Sequence, residues 1–353
     1  MTIPTLAGIT AKTITSRRLT TRVLLSGPEN GTPVLFVHGN ISSATWWEET
    51  MLALPAGYRA IAPDQRGYGE SDPAKKIDAT RGLGDLADDL AALLDTLNIR
   101  KVHLVGHSMG GSVVWRFMTD YADRLLSVTQ VAPGSPYGFG CTKDVAGTPC
   151  NAEFAGSGAG LINPEFGRLL TTGERGTGSM FAPRNALRNL VFKPPFVPAR
   201  EEDILSATLS THMGQQDYPG DSVPASAWPH LAPGVMGVNN ALSPKYNQNI
   251  LPKLLEMVHK PRVLWIRGAQ DLTVSDAAAA DVGRLGSLGL IPGWPGKDVF
   301  PPQPMLTQTR DVLQKYAAAG GTYQEVVIED CGHAPYLEKP SEFNTAFHAH
   351  ITT

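Results

Sequence analysis

Little charge, few cysteines and no long apolar run mark this chain, and each shortage removes a class of protein. Charged residues make up only 18% of 353 positions and the formal net charge is −3, against roughly 25% charged residues in an ordinary soluble protein. Neither a basic block nor an acidic tail is present, so electrostatics gives no reason to expect nucleic acid or an anionic membrane as partner. No stretch is long enough to span a bilayer, and residues 1–7 lack both the basic start and the apolar centre of a signal peptide. The expected compartment is therefore the cytoplasm. Three cysteines fit it. Cys141 and Cys150 are close enough for a small-loop disulfide, but a reducing compartment favours free thiols, and Cys331 is left unpaired. No Cys and His spacing suggests zinc, and neither a metal nor a cofactor is expected. No internal repeat is visible.

Glycine and proline are plentiful instead, at 36 and 28, which suggests many turns and long loops. The length allows one large domain or two ordinary ones around a substantial core.

One stretch organises the rest. Residues 102–105, Val-His-Leu-Val, are an apolar run that ends in Gly106-His107-Ser108-Met109-Gly110, and Val113, Val114, Phe117 and Met118 then recur at helical spacing. The pattern predicts a strand, a sharp turn and a helix. Glycines two residues to either side of Ser108 permit a turn tight enough to hold its hydroxyl above the sheet end, while backbone N–H groups opening the helix suit a developing oxyanion.

In chain order, residues 12–26 read as a strand pair and Val34 to Val37 as a strand buried on both faces, running into His38-Gly39-Asn40. The backbone N–H of Asn40 is a candidate second donor for an oxyanion. Residues 59–62 form another strand, followed by a charged turn with Asp64 and Arg66, read as tied by its own hydrogen bonds. Leu86, Ala87, Leu90, Leu93, Leu94 and Leu97 mark an amphipathic helix, and residues 126–132 the next strand. Alternation of this kind predicts an α/β fold with a mainly parallel central sheet flanked by helices. From 134 to 252 the chain turns rich in Gly, Pro, Asn and aromatics, with only short helical patterns at 165–170, 186–191 and 201–212. The expectation is an inserted lid, or cap, domain at 134–252 over a core of 1–133 and 253–353. Residues 262–268 resume the sheet and deliver Asp271 to a strand end. Residues 281–308 form a Pro/Gly loop with Trp294 and Phe300 as anchors, 309–319 are helical, and the strand at 323–328 delivers His333.

Ser108, Asp271 and His333 form a set, each at a predicted strand end. A serine hydroxyl holds its proton too tightly to attack at neutral pH unless an imidazole accepts it, and a carboxylate behind the imidazole orients the ring and stabilises its charge.

At these residues the sequence resembles the α/β-hydrolase family, its serine esterase and lactonase members in particular. His38-Gly39-Asn40, Asp64-x-Arg66-Gly67-x-Gly69-x-Ser71, Gly106-His107-Ser108-Met109-Gly110-Gly111, Gly268-x-x-Asp271 and Gly332-His333 match the family pattern in order over nearly the whole chain. The resemblance implies Ser108 as nucleophile, His333 as base and Asp271 as acid, with the Met109 and Asn40 N–H groups as oxyanion hole. The strand ending at Ala132 is followed by no carboxylate, which favours Asp271, and Glu329 and Asp330 lie too close to His333 in sequence. The interval from Asp271 to His333 is longer than the family's, so 281–308 is an addition that is expected to border the pocket or an oligomer contact.

The expected activity is hydrolysis of a carboxylic ester or lactone of a moderately hydrophobic small molecule. Family members acting on epoxides or haloalkanes use a carboxylate where Ser108 stands. Alternatives are a carbon–carbon bond hydrolase, a cofactor-free perhydrolase of the haloperoxidase kind, and a receptor-like ligand binder that kept the fold. Homo-oligomerisation is left open. Candidate substrate contacts are Trp46, His107, His212, Tyr218 and Trp228, with Asp217, His230, Asn239 and Asn240 beside them in the lid; His107 and His38 also have a plain packing or loop-holding reading.

Overall fold

Alternate side chains along the central strands face two separate apolar layers, and that alternation builds the molecule. Leu35 and Val37 join one buried cluster while Val34 and Phe36 join the other; Val263 and Trp265 divide from Leu264 and Ile266 in the same way. The computed structural model describes residues 3–353. Met1 and Thr2, the start of the stretch read as lacking a signal peptide, lie outside the described residues.

The strands are β1 (Thr10–Thr15), β2 (Thr20–Ser26), β3 (Thr32–Val37), β4 (Tyr58–Pro63), β5 (Val102–His107), β6 (Leu125–Val131), β7 (Val263–Gly268) and β8 (Tyr323–Ile328). They form one eight-stranded sheet in the order β1-β2-β4-β3-β5-β6-β7-β8. β2 runs antiparallel to β1 and β4, and all other neighbours are parallel. From β3 the chain moves outward to β4, then crosses back to place β5 on the other side, so the strand order reverses between β3 and β5. A reversal of this kind leaves a crevice at the carboxyl ends of the two strands, where open α/β sheets hold their ligands.

The helices are α1 (Gly84–Thr96), α2 (Met109–Asp120), α3 (Met305–Ala318) and α4 (Pro340–Thr352). Leu86, Leu90 and Leu94 of α1, Val113 and Phe117 of α2, and Val312 and Leu313 of α3 fill one layer; Phe343, Phe347 and Ile351 of α4 fill the other with Trp46 and Trp47. α1 ends where Asn98 takes φ 55° and the Ile99 N–H returns to the Leu94 carbonyl, a left-handed stop that Asn tolerates well.

Two elements differ from the sequence expectation. Residues 281–308 contain a helix, Val282–Ser287, capped by the Asp281 carboxylate on the Arg284 N–H, and α3 starts at Met305 rather than 309 because the fully buried Met305 follows directly on the proline run. The anchors hold as expected. Phe300 is buried with Trp228, Val282 and Cys141, and the Trp294 Nε1 donates to the Phe300 carbonyl at 2.8 Å.

Between β6 and β7 the chain forms short helices, including Pro164–Thr171 and Glu201–Leu209, and two two-stranded ribbons. This segment bonds to the loops at the carboxyl ends of β4 and β8: the Gly69 N–H donates to the Ser210 carbonyl, the His212 N–H to Gly67, and the His333 N–H to Val191. Its last helix, Ile250–Glu256, buries Ile250 and Leu254 in the same layer as α2. Cys141 and Cys150 are free thiols, joined by the Cys150 N–H on the Cys141 carbonyl. Among the described residues no helix is long and apolar enough to cross a membrane.

Buried histidines give the fold an acid limit. Burial, with Arg262 nearby, lowers both His103 and His350 to about 4, and burial likewise lowers His38 to about 4. The unfolded chain protonates these rings near 6.5. It therefore binds more protons than the fold between pH 6.5 and 4, so their stabilising contribution is complete above 6.5 and is lost as pH falls toward 4. Thermal melts are expected to show a steadily falling Tm from pH 6.5 to 4.5; a flat Tm over that window contradicts the assignment.

Candidate active site

The turn after β5 is built by close approach. A Cβ on Gly106 would lie 2.4 Å from the Gly110 carbonyl oxygen, and one on Gly110 would lie 2.3 Å from that of Val37. Only glycine lets the start of α2 sit this close to β5 and β3. Ser108 between them takes φ 55° and ψ −120°, a conformation that side chains rarely adopt, and it is held by its N–H on the Val131 carbonyl at 2.9 Å. Residue 108 thereby stands in the turn at the carboxyl end of β5, immediately before the first residue of α2.

The acid and base loops are tied to each other before they meet the serine. The Gln270 N–H donates to the Cys331 carbonyl at 2.9 Å and the Cys331 N–H returns to Gln270 Oε1 at 3.0 Å. Cys331 is fully buried as a small filler, its thiol pushed up by burial. His333 Nδ1 lies 2.7 Å from Asp271 Oδ2, while Asp271 Oδ1 accepts from the N–H groups of Thr273 and Val274 at 2.7 and 2.9 Å. An ionised carboxylate only accepts, so the ring proton sits on Nδ1 and leaves a lone pair on Nε2. That Nε2 is buried and has no partner among the described residues. Asp330, by contrast, is exposed and paired with Lys193 and Lys339, in keeping with its exclusion as the acid.

The third loop comes from β3. A Cβ on Gly39 would stand 3.2 Å from the Ser108 Cβ, so the backbone of residues 38–40 lies directly against the serine. His38 holds this loop: its Nε2 accepts from the Gln65 N–H at 3.0 Å and its Nδ1 donates to the Gly39 carbonyl at 2.8 Å. It is a neutral fastening, as the loop-holding reading expects. The charged turn after β4 is structural too. Asp64 accepts from Arg22 Nε at 3.0 Å and from the N–H groups of Ala44 and Glu70 at 2.9 Å, and Arg66 makes a two-point pair with Asp89 at 2.7 Å.

His107 is buried against His333, ring centroids 4.7 Å apart, with Nε2 donating to the His333 carbonyl and Nδ1 accepting from the Tyr336 hydroxyl. Burial, reinforced by His333, keeps its pKa well below the usual histidine value. Trp46 stacks between His107 and Phe192 at 6.2 and 6.0 Å. Tyr218 is buried in the same apolar layer as α2. The other expected contacts make bonds within the protein. His212 Nε2 donates to the Gly69 carbonyl, and Trp228 packs edge-on against Phe300 with its Nε1 on the Pro292 carbonyl. Asp217 pairs with Lys76, Asn240 braces Asp221 and Ala159, and the His230 N–H closes a turn on Ala227. Each of these residues fastens a loop through at least one polar atom, though His212 Nδ1 and Asp217 Oδ1 are buried without a partner among the described residues, and none of this is revealed by the sequence. The 281–308 insertion reaches 138–140 and Trp228 by hydrogen bonds, none of which ends on Ser108, Asp271 or His333 among the described residues.

Sequence reasoning missed Glu338. Its carboxylate accepts from the N–H groups of Gly332 and Lys193 at 2.9 Å and of Ala334 at 3.1 Å, clasping the base loop on both sides of His333 and joining it to the segment between β6 and β7. The legible signal was a carboxylate on a proline-opened turn, Pro335–Glu338, shortly after the histidine. Glu338→Ala is expected to strip the acceptor from all three N–H groups and cost at least about 2 kcal/mol of stability. Urea denaturation reads it; a variant as stable as the parent contradicts the clasp.

The eight-stranded sheet, the serine turn between β5 and α2, and the loops after β7 and β8 that carry Asp271 and His333 are the arrangement of an α/β-hydrolase fold. The chain has the alpha/beta-hydrolase fold, and a family pattern described as alpha/beta hydrolase fold matches residues 32–147. The likeness expected from the five motifs is borne out. An AB hydrolase superfamily protein of Bacillus subtilis (strain 168) is 32% identical over 125 residues, 34% of this chain and 43% of that protein. A 2-hydroxy-6-oxo-6-phenylhexa-2,4-dienoate hydrolase of Burkholderia cepacia is 36% identical over 117 residues, 32% of this chain and 40% of that protein. The chain thus spans less than half the length of these curated relatives. Among solved structures, the carboxylesterase CesB of Bacillus subtilis superposes with a TM-score of 0.57 at 14% identity, over 97% of this chain and 91% of that one.

Proposed function

We propose that this protein is a serine hydrolase that cleaves a carboxylic ester or lactone of a moderately hydrophobic small molecule. The observation that carries the reading is the His333 ring: fixed by Asp271 at 2.7 Å through Nδ1, it presents a buried, unpartnered Nε2 and packs against His107, the residue before a serine held in a strained turn. A buried acceptor left without a donor is costly unless a reacting proton is to arrive there.

In this reading the Ser108 Oγ adds to the carbonyl carbon while its proton passes to His333 Nε2, and Asp271 stabilises the imidazolium. The carbonyl oxygen, now an oxyanion, takes the N–H groups of Met109 and Asn40. Collapse expels the alkoxide, which receives the proton from Nε2, and leaves an acyl ester on Ser108. Water then gives a proton to the same Nε2 and attacks the acyl carbon, and the second collapse releases the acid as Nε2 returns that proton to the Ser108 Oγ. His107 takes no proton in this sequence, because both its ring nitrogens are already bonded. Epoxide opening through an alkyl-enzyme ester needs a carboxylate nucleophile, and residue 108 is a serine. The segment 134–252 acts as a lid over the site, its apolar and aromatic residues selecting the substrate.

The test is incubation with a fluorophosphonate, mass mapping of the adduct, and rates on esters and lactones of graded chain length. Labelling at Ser108 together with turnover supports the reading. Folded protein that neither labels nor hydrolyses any member contradicts it. A carbon–carbon bond hydrolase is the second reading, favoured by the likeness to the Burkholderia cepacia dienoate hydrolase, and a 2-hydroxy-6-oxo-dienoate belongs in the same panel.

A further inference from the structure

The loop that offers Asn40 to the serine is strained, and a residue of the overlying segment holds it in place. Directly after Asn40, Ile41 takes φ 52°, a backbone conformation that β-branched residues avoid. Something must keep it there. The Asn40 side chain accepts the Ile41 N–H at 3.0 Å and the Tyr68 hydroxyl at 2.5 Å on Oδ1. A backbone N–H only donates, so Oδ1 must face Ile41 and Nδ2 must face the other way. There it donates at 3.0 Å to Asn239 Oδ1, across 199 residues of sequence. Tyr68 is fully buried, so the Asn40 side chain is anchored on that side in packed protein.

We infer that Asn239 is a positioning residue for the Asn40 half of the oxyanion hole, fastening the strained Asn40–Ile41 turn from the segment above. The inference rests on the serine-hydrolase reading and deepens it. Asn239 stands among the expected substrate contacts; its side-chain oxygen is instead committed to Asn40. Because the carbonyl oxygen moves toward the Asn40 N–H only as it becomes an oxyanion, a loosened turn weakens the transition state more than the bound ester. Tyr68 and the Ile41 N–H still hold the other side of Asn40, so the loss is partial.

The experiment uses the full chain with Asn239→Leu, Asn239→Asp and Tyr68→Phe, an ester from the panel, and phenylboronic acid as a probe that forms a tetrahedral adduct on the serine. Asn239→Leu is expected to lower kcat about 10-fold, short of the roughly 10²–10³ of a deleted oxyanion donor, with KM within about twofold. Boronate affinity falls in parallel, and Asn239→Asp, which keeps the acceptor, recovers to within about threefold of the parent. Unchanged kcat in folded Asn239→Leu overturns the inference, as does a loss confined to KM with boronate affinity intact, which marks a substrate contact. Should Asn239→Leu not fold, Tyr68→Phe frees the same Asn40 oxygen from its other side, and unchanged kcat there overturns the inference equally. Parent protein that fails to label at Ser108 and hydrolyses nothing sinks the hydrolase reading and this inference with it, an outcome distinct from a labelled, active parent with indifferent variants.

Discussion

Ser108→Ala is expected to lower kcat by on the order of 10⁶, the size of loss seen when the nucleophile is removed from a serine triad. The substitution deletes one oxygen that takes no part in holding the fold. The turn is secured by the Ser108 N–H on Val131 and the Ser112 and Gly134 N–H groups on the Ser108 carbonyl, all of which alanine retains. Alanine also meets the same backbone strain at φ 55° as serine does. The melting temperature should therefore stay close to that of the parent while turnover and fluorophosphonate labelling disappear together. Steady-state rates on the best ester, with a thermal melt on the same sample, read both. Turnover near the parent rate in folded protein would remove Ser108 from the chemistry.

Asp271→Asn is the second large effect, expected to cost roughly 10⁴ in kcat. The new side chain has the same shape, and its oxygen can still accept from Thr273 and Val274, so the loop after β7 keeps its course. Its amide nitrogen then faces His333 Nδ1, which must give up its proton to accept the new hydrogen bond. The ring proton moves to Nε2, and the nitrogen that should take the serine proton now carries one of its own. A kcat loss of this order with KM little changed is the expected signature. A harmless substitution would require another carboxylate behind the ring. Glu338 is committed to three backbone N–H groups and Asp330 to two lysines on the surface.

Ser108 and Asp271 are both legible from the amino-acid order, because each sits where a local pattern ends. A buried strand is a largely apolar run, so Val34 to Val37, Val102 to Val105 and Val263 to Ile266 mark their own ends, and parallel strands bring all those ends to one edge. Gly106 and Gly110 announce a tight turn because nothing larger fits it. The helix Val282–Ser287 is hidden for the opposite reason. It is short, with proline and glycine following it closely, and is held by burial of Val282 and an Asp281 cap rather than by a full period of apolar residues.

Residues between β6 and β7 are less legible. His212, Tyr218, Trp228 and Asn239 stand close together in sequence and are all plausible neighbours of a substrate, yet the fold gives them four different tasks. His212 ties the segment to Gly69, Trp228 clamps the insertion through Pro292, Tyr218 packs into the apolar layer of α2, and Asn239 bonds Asn40. Which atom a polar group bonds depends on what another part of the chain presents to it, and composition carries no trace of that choice.

The sequence alone determined the α/β alternation, the chemical groups of the site and their order along the chain, because hydrophobic periodicity and glycine sterics act over a few residues. Only the tertiary structure decided which nitrogen of His333 carries the proton, that Glu338 clasps the base loop, and that Asn239 reaches Asn40. Those depend on hydrogen bonds between segments up to 199 residues apart, whose geometry exists only once the two apolar layers have packed and brought the strand ends together.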